Sequence, residues 1–238
     1  MGCDCAGTLH RVSTDVTRAA LIGGTGAFGS ALALRLALAG FRVHLGSRDT
    51  GRAAEVAASL RRQFPAQRAI GTIDGGDNAT VAGIADIVFL TVPFTGLREL
   101  LGDLRLSLTG RVVVSAVVPL TWGADGPSAA TVPEGSAAEL AAALLPESRV
   151  VAALHSVSSA ILKHPQRPAD ADVLITGDDA EAKAMVSALV ERIAGVRAVD
   201  AGSLRYARHT EELAVLLLNI NRIHRAHAGV VITDLAGR

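Results

Sequence analysis

Short apolar runs alternate along this chain with amphipathic or alanine-rich stretches. The runs with the length and composition of buried strands lie at residues 19–22, 41–46, 69–73, 86–92, 111–118 and 149–154. The stretches between them, such as residues 30–40 and 52–64, predict helices. Strands covered on both faces are nearly continuous hydrophobic runs, and their alternation with helices is typical of a parallel α/β sheet. We therefore predict a Rossmann-type, doubly wound sheet.

The pattern changes after residue 155. Short strands at 172–176 and 196–199 flank a helix at 178–193, whose acidic first residues suit a helix N-terminus. The last helix, at about 203–228, contains the apolar run LAVLLLNI, which is typical of a core or a subunit interface. We predict a Rossmann domain over 18–155 and a smaller C-terminal α/β domain over 156–238. The C-terminal domain ends in the long helix and supplies oligomer contacts.

A glycine-rich segment, LIGGTGAFG, joins the first predicted strand to the first predicted helix. Its Gly24, Gly26 and Gly29 have the G-x-G-x-x-G spacing. The first glycine permits the tight turn, the second lets a pyrophosphate approach the backbone, and the third lets helix and strand pack closely. The N–H groups at the helix start then face the anion. The motif predicts a dinucleotide site, and a purely structural glycine-rich turn is the alternative.

The second predicted strand ends in Ser47 and Arg48, about 20 residues after the glycines, where such a fold contacts the adenine ribose. A site for NAD usually carries Asp or Glu there, to accept a hydrogen bond from the 2′-hydroxyl. A hydroxyl and a guanidinium instead suit a 2′-phosphate, and Arg52 can add a second charge. We therefore predict NADP rather than NAD; a solvated arginine in a loop is the alternative.

Residues at the carboxyl ends of the parallel strands are candidates for the nicotinamide side of the site, because ligands bind at that edge. They are Thr91, Val92 and Pro93 after the fourth strand, and residues 116–118, including Val118, after the fifth. His155 directly follows the sixth strand and is predicted to lie beside the substrate. The alternative is a histidine that is satisfied by a neighbouring carbonyl.

Composition narrows the classes of partner. The 238 residues have zero net charge, half of them are hydrophobic, and there are one Trp, one Tyr and five Phe. Without a basic surface or stacking aromatics, nucleic acid is not an expected partner. No apolar run reaches the roughly 18 residues that span a bilayer, so we expect no membrane partner. Small molecules and further copies of the chain, as a homodimer, are the expected partners.

The first 17 residues are predicted to be a disordered tail without the apolar region of a secretory signal. Cys3 and Cys5 both lie in this tail and are too few for a disulfide framework. We predict reduced thiols in a cytoplasmic protein. His224 and His227 have no Cys or carboxylate close by in the sequence, so we predict no metal site.

Several NADP-dependent chemistries lack their catalytic groups in this sequence. Short-chain dehydrogenases use Tyr with Lys four residues later, whereas Tyr206 is followed by Thr210. Lys163 lies beside a proline-containing loop and Lys183 on a predicted surface helix, so neither suits proton transfer. The predicted site contains few acids and bases. This scarcity favours a reaction in which hydride passes directly between two ring systems and the protein positions them.

An ordered set of motifs resembles the NADPH-dependent F420 reductases (F420H2:NADP oxidoreductases). In chain order it comprises GGTGAFG, GSR, TVPF, VVVSAVVPL, GSAAEL, AALHS, GDD and DAGSL, from about residue 18 to the C-terminus. The resemblance implies a Rossmann domain with a smaller C-terminal portion, and hydride transfer between NADP(H) and the deazaflavin coenzyme F420. An NADPH-dependent reductase of another small substrate (imine, carbonyl, alkene or flavin) and a non-enzymatic NADP sensor are the alternatives.

The resemblance also implies roles for individual residues. Those that it implies for NADP are Thr25, Gly26, Ala27, Phe28, Ser47, Arg48 and Arg52. Gly24, Gly29, Thr91, Val92, Pro93, Val118 and Ser159 complete the predicted cofactor set. His155 and Arg208 are the candidate catalytic residues near the deazaflavin. On the final helix, Glu212 and Ala214 stand where well-known family members carry Ser and Thr.

Overall fold

The computed structural model describes residues 18–63 and 71–235. Within these ranges, the strands of the main sheet are β1 (Arg18–Ile22), β2 (Arg42–Ser47), β3 (Thr72–Asp77), β4 (Ile87–Leu90), β5 (Val112–Ser115), β8 (Arg149–Ala152), β9 (Ala171–Gly177) and β10 (Val196–Asp200), and a separate pair is formed by β6 (Leu120–Gly123) and β7 (Gly126–Ala129). The helices are α1 (Ala27–Leu38), α2 (Thr50–Arg61), α3 (Asn78–Ile84), α4 (Leu97–Leu108), α5 (Ala137–Leu144), α6 (Ser159–Leu162), α7 (Ala180–Val190) and α8 (Ala207–His224).

The main sheet has the strand order β3-β2-β1-β4-β5-β8-β9-β10. Neighbouring strands are parallel except β8 and β9, which pair antiparallel. The chain therefore winds outward in both directions from β1, and the predicted Rossmann-type fold with a C-terminal portion is confirmed. The division at 155/156 stays a prediction; β9 and β10 follow β8 in the same sheet.

Each face of the sheet has its own apolar core. In β1, Ala19 and Leu21 face the core under α1, α2 and α7, whereas Ala20 and Ile22 face the core under α3, α4 and α5. This alternation follows from the two-residue period of a strand, and it explains why the whole of β1 after Arg18 is apolar. With both faces covered by helices, the carboxyl-end edge of the strands is left for ligands.

The predicted position of the third strand is wrong. It was expected at residues 69–73, of which 69 and 70 lie outside the described residues, whereas β3 begins at Thr72 and extends to Asp77. Its sequence TIDGGD suggests a turn, but both glycines lie inside the strand. A Cβ at Gly75 would lie 2.3 Å from the backbone carbonyl carbon of Ala53 in α2. The glycine therefore reflects close packing of a helix on the strand, rather than a turn.

Residues 121–135 contain the Gly, Pro and Ser that are typical of a loop, yet the first part of this segment is regular structure. There, β6 and β7 form an antiparallel hairpin. Its Pro127 is tolerated because each strand of a two-stranded ribbon is an edge strand. The turn is held on α8, where Arg222 donates a hydrogen bond of 2.7 Å to the carbonyl of Asp125.

The last helix is shorter than predicted. A 3₁₀ turn (Leu204–Tyr206) precedes α8, and the helix ends at His224 rather than near residue 228. Arg225 has a φ of +51°, a left-handed conformation that commonly terminates helices. Among the described residues, no helix is both long enough and apolar enough to cross a membrane. The predicted tail, with Cys3 and Cys5, lies outside the described residues.

The close contact between β3 and α2 can be tested with two glycine substitutions. We expect Gly75→Ala to lower the free energy of unfolding by about 2 kcal/mol or more, because the new methyl group meets the α2 backbone. Gly102→Ala, inside α4 with no atom within 4 Å of the new Cβ, should raise it by about 0.5–1 kcal/mol. Urea denaturation measures both. A Gly75→Ala protein as stable as the parent would contradict the contact.

Candidate functional site

Two of the three motif glycines permit close packing beneath the turn. A Cβ at Gly24 would lie 2.7 Å from the carbonyl oxygen of Leu21, and one at Gly29 would lie 2.7 Å from Thr91 Oγ1. Neither position therefore has room for a side chain. Thr91 in turn donates its hydroxyl hydrogen bond to the Ile22 carbonyl at 2.9 Å, joining the ends of β1 and β4. These contacts place the start of α1 at the carboxyl edge of the sheet.

The middle glycine of the motif, Gly26, has a different environment. It is the N-cap of α1, no side chain of a described residue caps this helix, and a Cβ there would meet only the Gly23 carbonyl oxygen, at 3.4 Å. The space above Gly26 is therefore open, and so is the space above the N–H groups of the first turn of α1. Such an uncapped helix start suits a pyrophosphate, so the geometry fits a dinucleotide.

A polar cavity of about 540 Å³ extends from this turn to α4. The predicted cofactor residues that line it are Thr25, Gly26, Ser47, Arg48, Arg52, Thr91, Val92 and Pro93. Residues from the first, third and fourth βα junctions and from α4 complete the wall. The predicted NADP residues on the adenosine side therefore lie around one space.

The two arginines of the polar cavity are placed by the turn after β2. Ser47 Oγ accepts a hydrogen bond from the Asp49 N–H at 3.1 Å, and the Asp49 carboxylate caps α2 by accepting from the Arg52 N–H at 3.0 Å. Arg48 and Arg52 are both exposed, and neither guanidinium has a carboxylate partner among the described residues. Two unpaired guanidinium groups beside a hydroxyl suit the 2′-phosphate of NADP.

A second, apolar cavity of about 410 Å³ lies between the strand ends and α8. The predicted site residues that line it, besides the four it shares with the polar cavity, are Ala27, Phe28, Val118, His155 and Ser159. The residues common to both cavities are Gly26, Thr91, Val92 and Pro93, which we call the shared wall. A ligand in one cavity can therefore meet a ligand in the other at this wall.

His155 lies in the wall of the apolar cavity and is 9% exposed. The preceding Leu154 has a φ of +73°, a conformation that is strained in a non-glycine residue and that turns the chain just after β8. The His155 Nδ1 atom is 3.2 Å from Thr210 Oγ1, and Nε2 has no hydrogen-bond partner among the described residues. Burial lowers the pKa of His155 to about 4, and the Val117 backbone acts in the opposite direction. The imidazole is therefore neutral at neutral pH.

The helix opposite His155 is held by a buried carboxylate. Glu211 of α8 accepts hydrogen bonds from the N–H groups of Ala137 at 2.9 Å and Ala138 at 3.1 Å, at the start of α5. Burial raises the pKa of Glu211 to about 7, while these two hydrogen bonds lower it. The contact ties α8 to a helix of the main sheet, and α8 then supplies Ala214 and Leu217 to the apolar cavity.

Some predicted residues do not line either cavity. Arg208 is exposed, and its guanidinium lies near Gly135, so its catalytic role stays a prediction. Glu212 is also exposed and outside both cavities, whereas Ala214 is buried and lines the apolar one. Lys183 forms an ion pair of 2.8 Å with Asp200, as expected of a structural lysine.

Three of the lining residues that sequence reasoning missed are Asn78, Asn221 and Ala228. Asn78 lines the polar cavity, with a buried Oδ1 that has no partner among the described residues. Asn221 and Ala228 line the apolar cavity, where Asn221 Oδ1 accepts a hydrogen bond from the Ala228 N–H at 2.6 Å. Asn78 directly follows β3, whose end was misplaced, and Ala228 lies past the true end of α8. Correct element boundaries would have pointed to both.

The buried histidine makes a prediction about pH. Because the pKa of His155 is about 4 in the folded protein and 6.5 for an ordinary histidine, the unfolded chain binds the proton more readily, so stability is lost as pH falls through this range. Between pH 7 and pH 5, we expect the parent to lose about 2 kcal/mol of unfolding free energy relative to His155→Asn. Urea denaturation at both pH values measures the difference.

Glu211 acts in the opposite direction, because its raised pKa makes stability fall as pH rises from 4.5 to about 7. It is present in both proteins, so its contribution cancels in the comparison. An equal pH dependence for the parent and His155→Asn would show that His155 is not buried in its neutral form.

Comparison with known proteins agrees with this geometry. A family model described as "NADP oxidoreductase coenzyme F420-dependent" matches residues 18–119. The F420-dependent NADP reductase of Methanothermobacter marburgensis is 39% identical over 221 residues, which are 91% of this chain and 98% of that protein. The corresponding protein of Methanocaldococcus jannaschii is 38% identical over 220 residues, with the same coverage of 91% and 98%.

A solved structure also shares the fold. It is described as a candidate F420-dependent NADP reductase from Arthrobacter sp. FB24, is 24% identical, and covers 91% of this chain and 100% of its own, with a TM-score of 0.74. At this identity the likeness concerns the fold alone. The Methanothermobacter and Methanocaldococcus relatives confirm the resemblance found in the motifs: this chain belongs to the family of F420-dependent NADP reductases.

Proposed function

We propose that this protein transfers a hydride directly between NADP(H) and coenzyme F420. The observation that carries the proposal is the shared wall: a polar cavity with unpaired arginines and an apolar cavity meet at Gly26, Thr91, Val92 and Pro93. The names of the archaeal relatives, which cover nearly the whole chain, supply the identity of the two coenzymes.

The NADP side is formed by the polar cavity. The first turn of α1 receives the pyrophosphate above Gly26, and Ser47, Arg48 and Arg52 bind the 2′-phosphate. When bound, the nicotinamide ring supplies or accepts the hydride. Thr91 and Pro93 at the shared wall border the space in which the ring is oriented.

The second-substrate side is formed by the apolar cavity. Ala214 and Leu217 from α8 face a flat ring with apolar surface, while Glu212 is exposed and does not line the cavity, so its carboxylate does not meet the ring. His155 contributes a neutral polar edge. Transfer between two rings requires no side-chain acid or base, so the residues of the chain act by position and by exclusion of water.

We also propose that the protein is a cytoplasmic homodimer. Large apolar side chains are exposed on α8 and on the nearby hairpin: Ile223 is 61% exposed, Leu216 54% and Trp122 65%. Exposed apolar surface of this kind supports burial against a second copy. The chemistry of NADPH, together with two cysteines that are too few for a disulfide framework, suits a reducing compartment.

The experiment that tests the function compares two chromophores. Purified protein is mixed with NADPH and F420, and in parallel with NADPH and FMN. We expect F420 to lose its visible absorbance while FMN keeps most of its own, because the relatives that match nearly the whole chain are named as F420-dependent. Reduction of FMN but not of F420 would contradict the proposed function.

Coenzyme preference can be tested at the arginine that faces the 2′-phosphate. We expect Arg48→Ala to weaken NADPH binding roughly 10- to 100-fold, since a charge-assisted hydrogen bond is lost, and to change NADH binding little. Arg42→Ala is the matched control, because Arg42 is exposed at the opposite end of β2. Dissociation constants from fluorescence titration decide the outcome. An equal loss for NADPH and NADH would assign Arg48 a merely structural role.

A further inference from the structure

A buried arginine of α1 contacts the segment that follows the site histidine. Arg35 is 4% exposed and donates three hydrogen bonds of 2.9 Å: from Nε to the carbonyl of Leu162, and from one terminal nitrogen to the carbonyls of Ile161 and His164. It has no carboxylate partner among the described residues. A buried guanidinium that is satisfied by backbone carbonyls alone implies that the position of those carbonyls matters.

The segment held by Arg35 forms one wall of the apolar cavity. Ser156, Ser158 and Ser159 line the cavity, and Ser159 is the first residue of α6. At its start the segment is tied to β9, where Ser156 Oγ donates a hydrogen bond of 2.7 Å to the Asp172 carbonyl. At its end it is tied to α1 through Arg35. The wall is thus fixed at two points on opposite sides.

Helix α6 cannot hold this position by itself. It has four residues, and Ser158 caps its start by accepting a hydrogen bond of 3.2 Å from the Ala160 N–H. A single helical turn is marginal in water because nucleation costs more than its few hydrogen bonds return. Backbone N–H groups beyond the helix reach some of its carbonyls, as where His164 donates to Ile161 at 3.2 Å, whereas the Leu162 carbonyl receives the Arg35 Nε donor. The Arg35 guanidinium binds these carbonyls, and its planar fork reaches several of them at once.

We propose that Arg35 is a positioning residue for the second substrate. It holds α6 so that Ser158 and Ser159 form a fixed wall of the apolar cavity. Because Arg35 belongs to α1, the helix whose first turn borders the polar cavity, it also sets the distance between this wall and the bound dinucleotide. The inference rests on the proposed function in one respect, namely that the apolar cavity receives F420.

The test compares Arg35→Met and Arg35→Lys with a control arginine. Arg111 also donates to backbone carbonyls, those of Ala85 at 2.8 Å and of Gly83, but it lines neither cavity. We expect Arg35→Met to raise the KM for F420 about tenfold or more, with the Kd for NADPH changed less than about twofold. Arg35→Lys keeps hydrogen-bond donors but lacks the planar guanidinium. Its KM for F420 should lie between the values for Arg35→Met and the parent. Arg111→Met should leave both constants unchanged.

A second measurement reports on the wall without any substrate. Hydrogen–deuterium exchange of peptides covering residues 156–164 should be faster in both Arg35 variants than in the parent and in Arg111→Met. If Arg35→Met does not fold, Arg35→Lys is judged by the same two readouts. An unchanged KM for F420 in the folded Arg35 variants, or an equal rise of the NADPH Kd, overturns the inference.

The exchange measurement also separates this inference from the proposed function. If the parent does not reduce F420 with NADPH, the function has failed, and the exchange of residues 156–164 alone decides on Arg35. Faster exchange in the Arg35 variants then supports its positioning role for whichever ligand enters the cavity. Unchanged exchange overturns that role, whatever the substrate.

Discussion

The close approach of α1 to the ends of β1 and β4 is the contact on which the site depends. Gly24 and Gly29 leave no room for a Cβ against Leu21 and Thr91, so the helix begins directly at the sheet edge. That position aims its unbonded N–H groups into the polar cavity, and it makes Gly26 part of both cavities. A bulkier turn would move the helix start away from the strands and separate the two spaces.

The other side of the site is built from elements that the dinucleotide fold does not require. Helix α8 crosses the carboxyl edge and is held there by the Glu211 cap on α5 and by the Arg222 bond to the hairpin. On the opposite side, Arg35 holds the segment after His155. The apolar cavity therefore lies between two supports that are each fixed by polar contacts, while its lining remains apolar.

The features that could be predicted from the sequence were those with a local cause. The glycine spacing, the Ser47–Arg48 pair and the apolar strands each depend on residues close in the chain, and they led to the fold, the coenzyme class and part of the lining of each cavity. The features that could not be predicted depend on distant contacts. The glycines of β3 suggest a turn unless one knows that α2 packs on them.

The same reason explains the remaining differences. The hairpin at β6 and β7 contains the Gly, Pro and Ser typical of loops, and its support comes from Arg222, 97 residues beyond Asp125. Arg35 belongs to the helical sequence SALALRLALAG, in which nothing indicates a partner 126 to 129 residues away. For Arg208 and Glu212, position on the last helix could be predicted, but the direction of each side chain depends on how that helix packs.

The separation between the residues proposed for the 2′-phosphate and the shared wall has a consequence for how this scaffold can diversify. Ser47, Arg48 and Arg52 line only the polar cavity, whereas Thr91, Val92 and Pro93 border both. A change in the loop after β2 therefore alters the polar cavity alone and leaves the shared wall intact. A change at the shared wall alters both cavities at once, so it is the more constrained of the two surfaces.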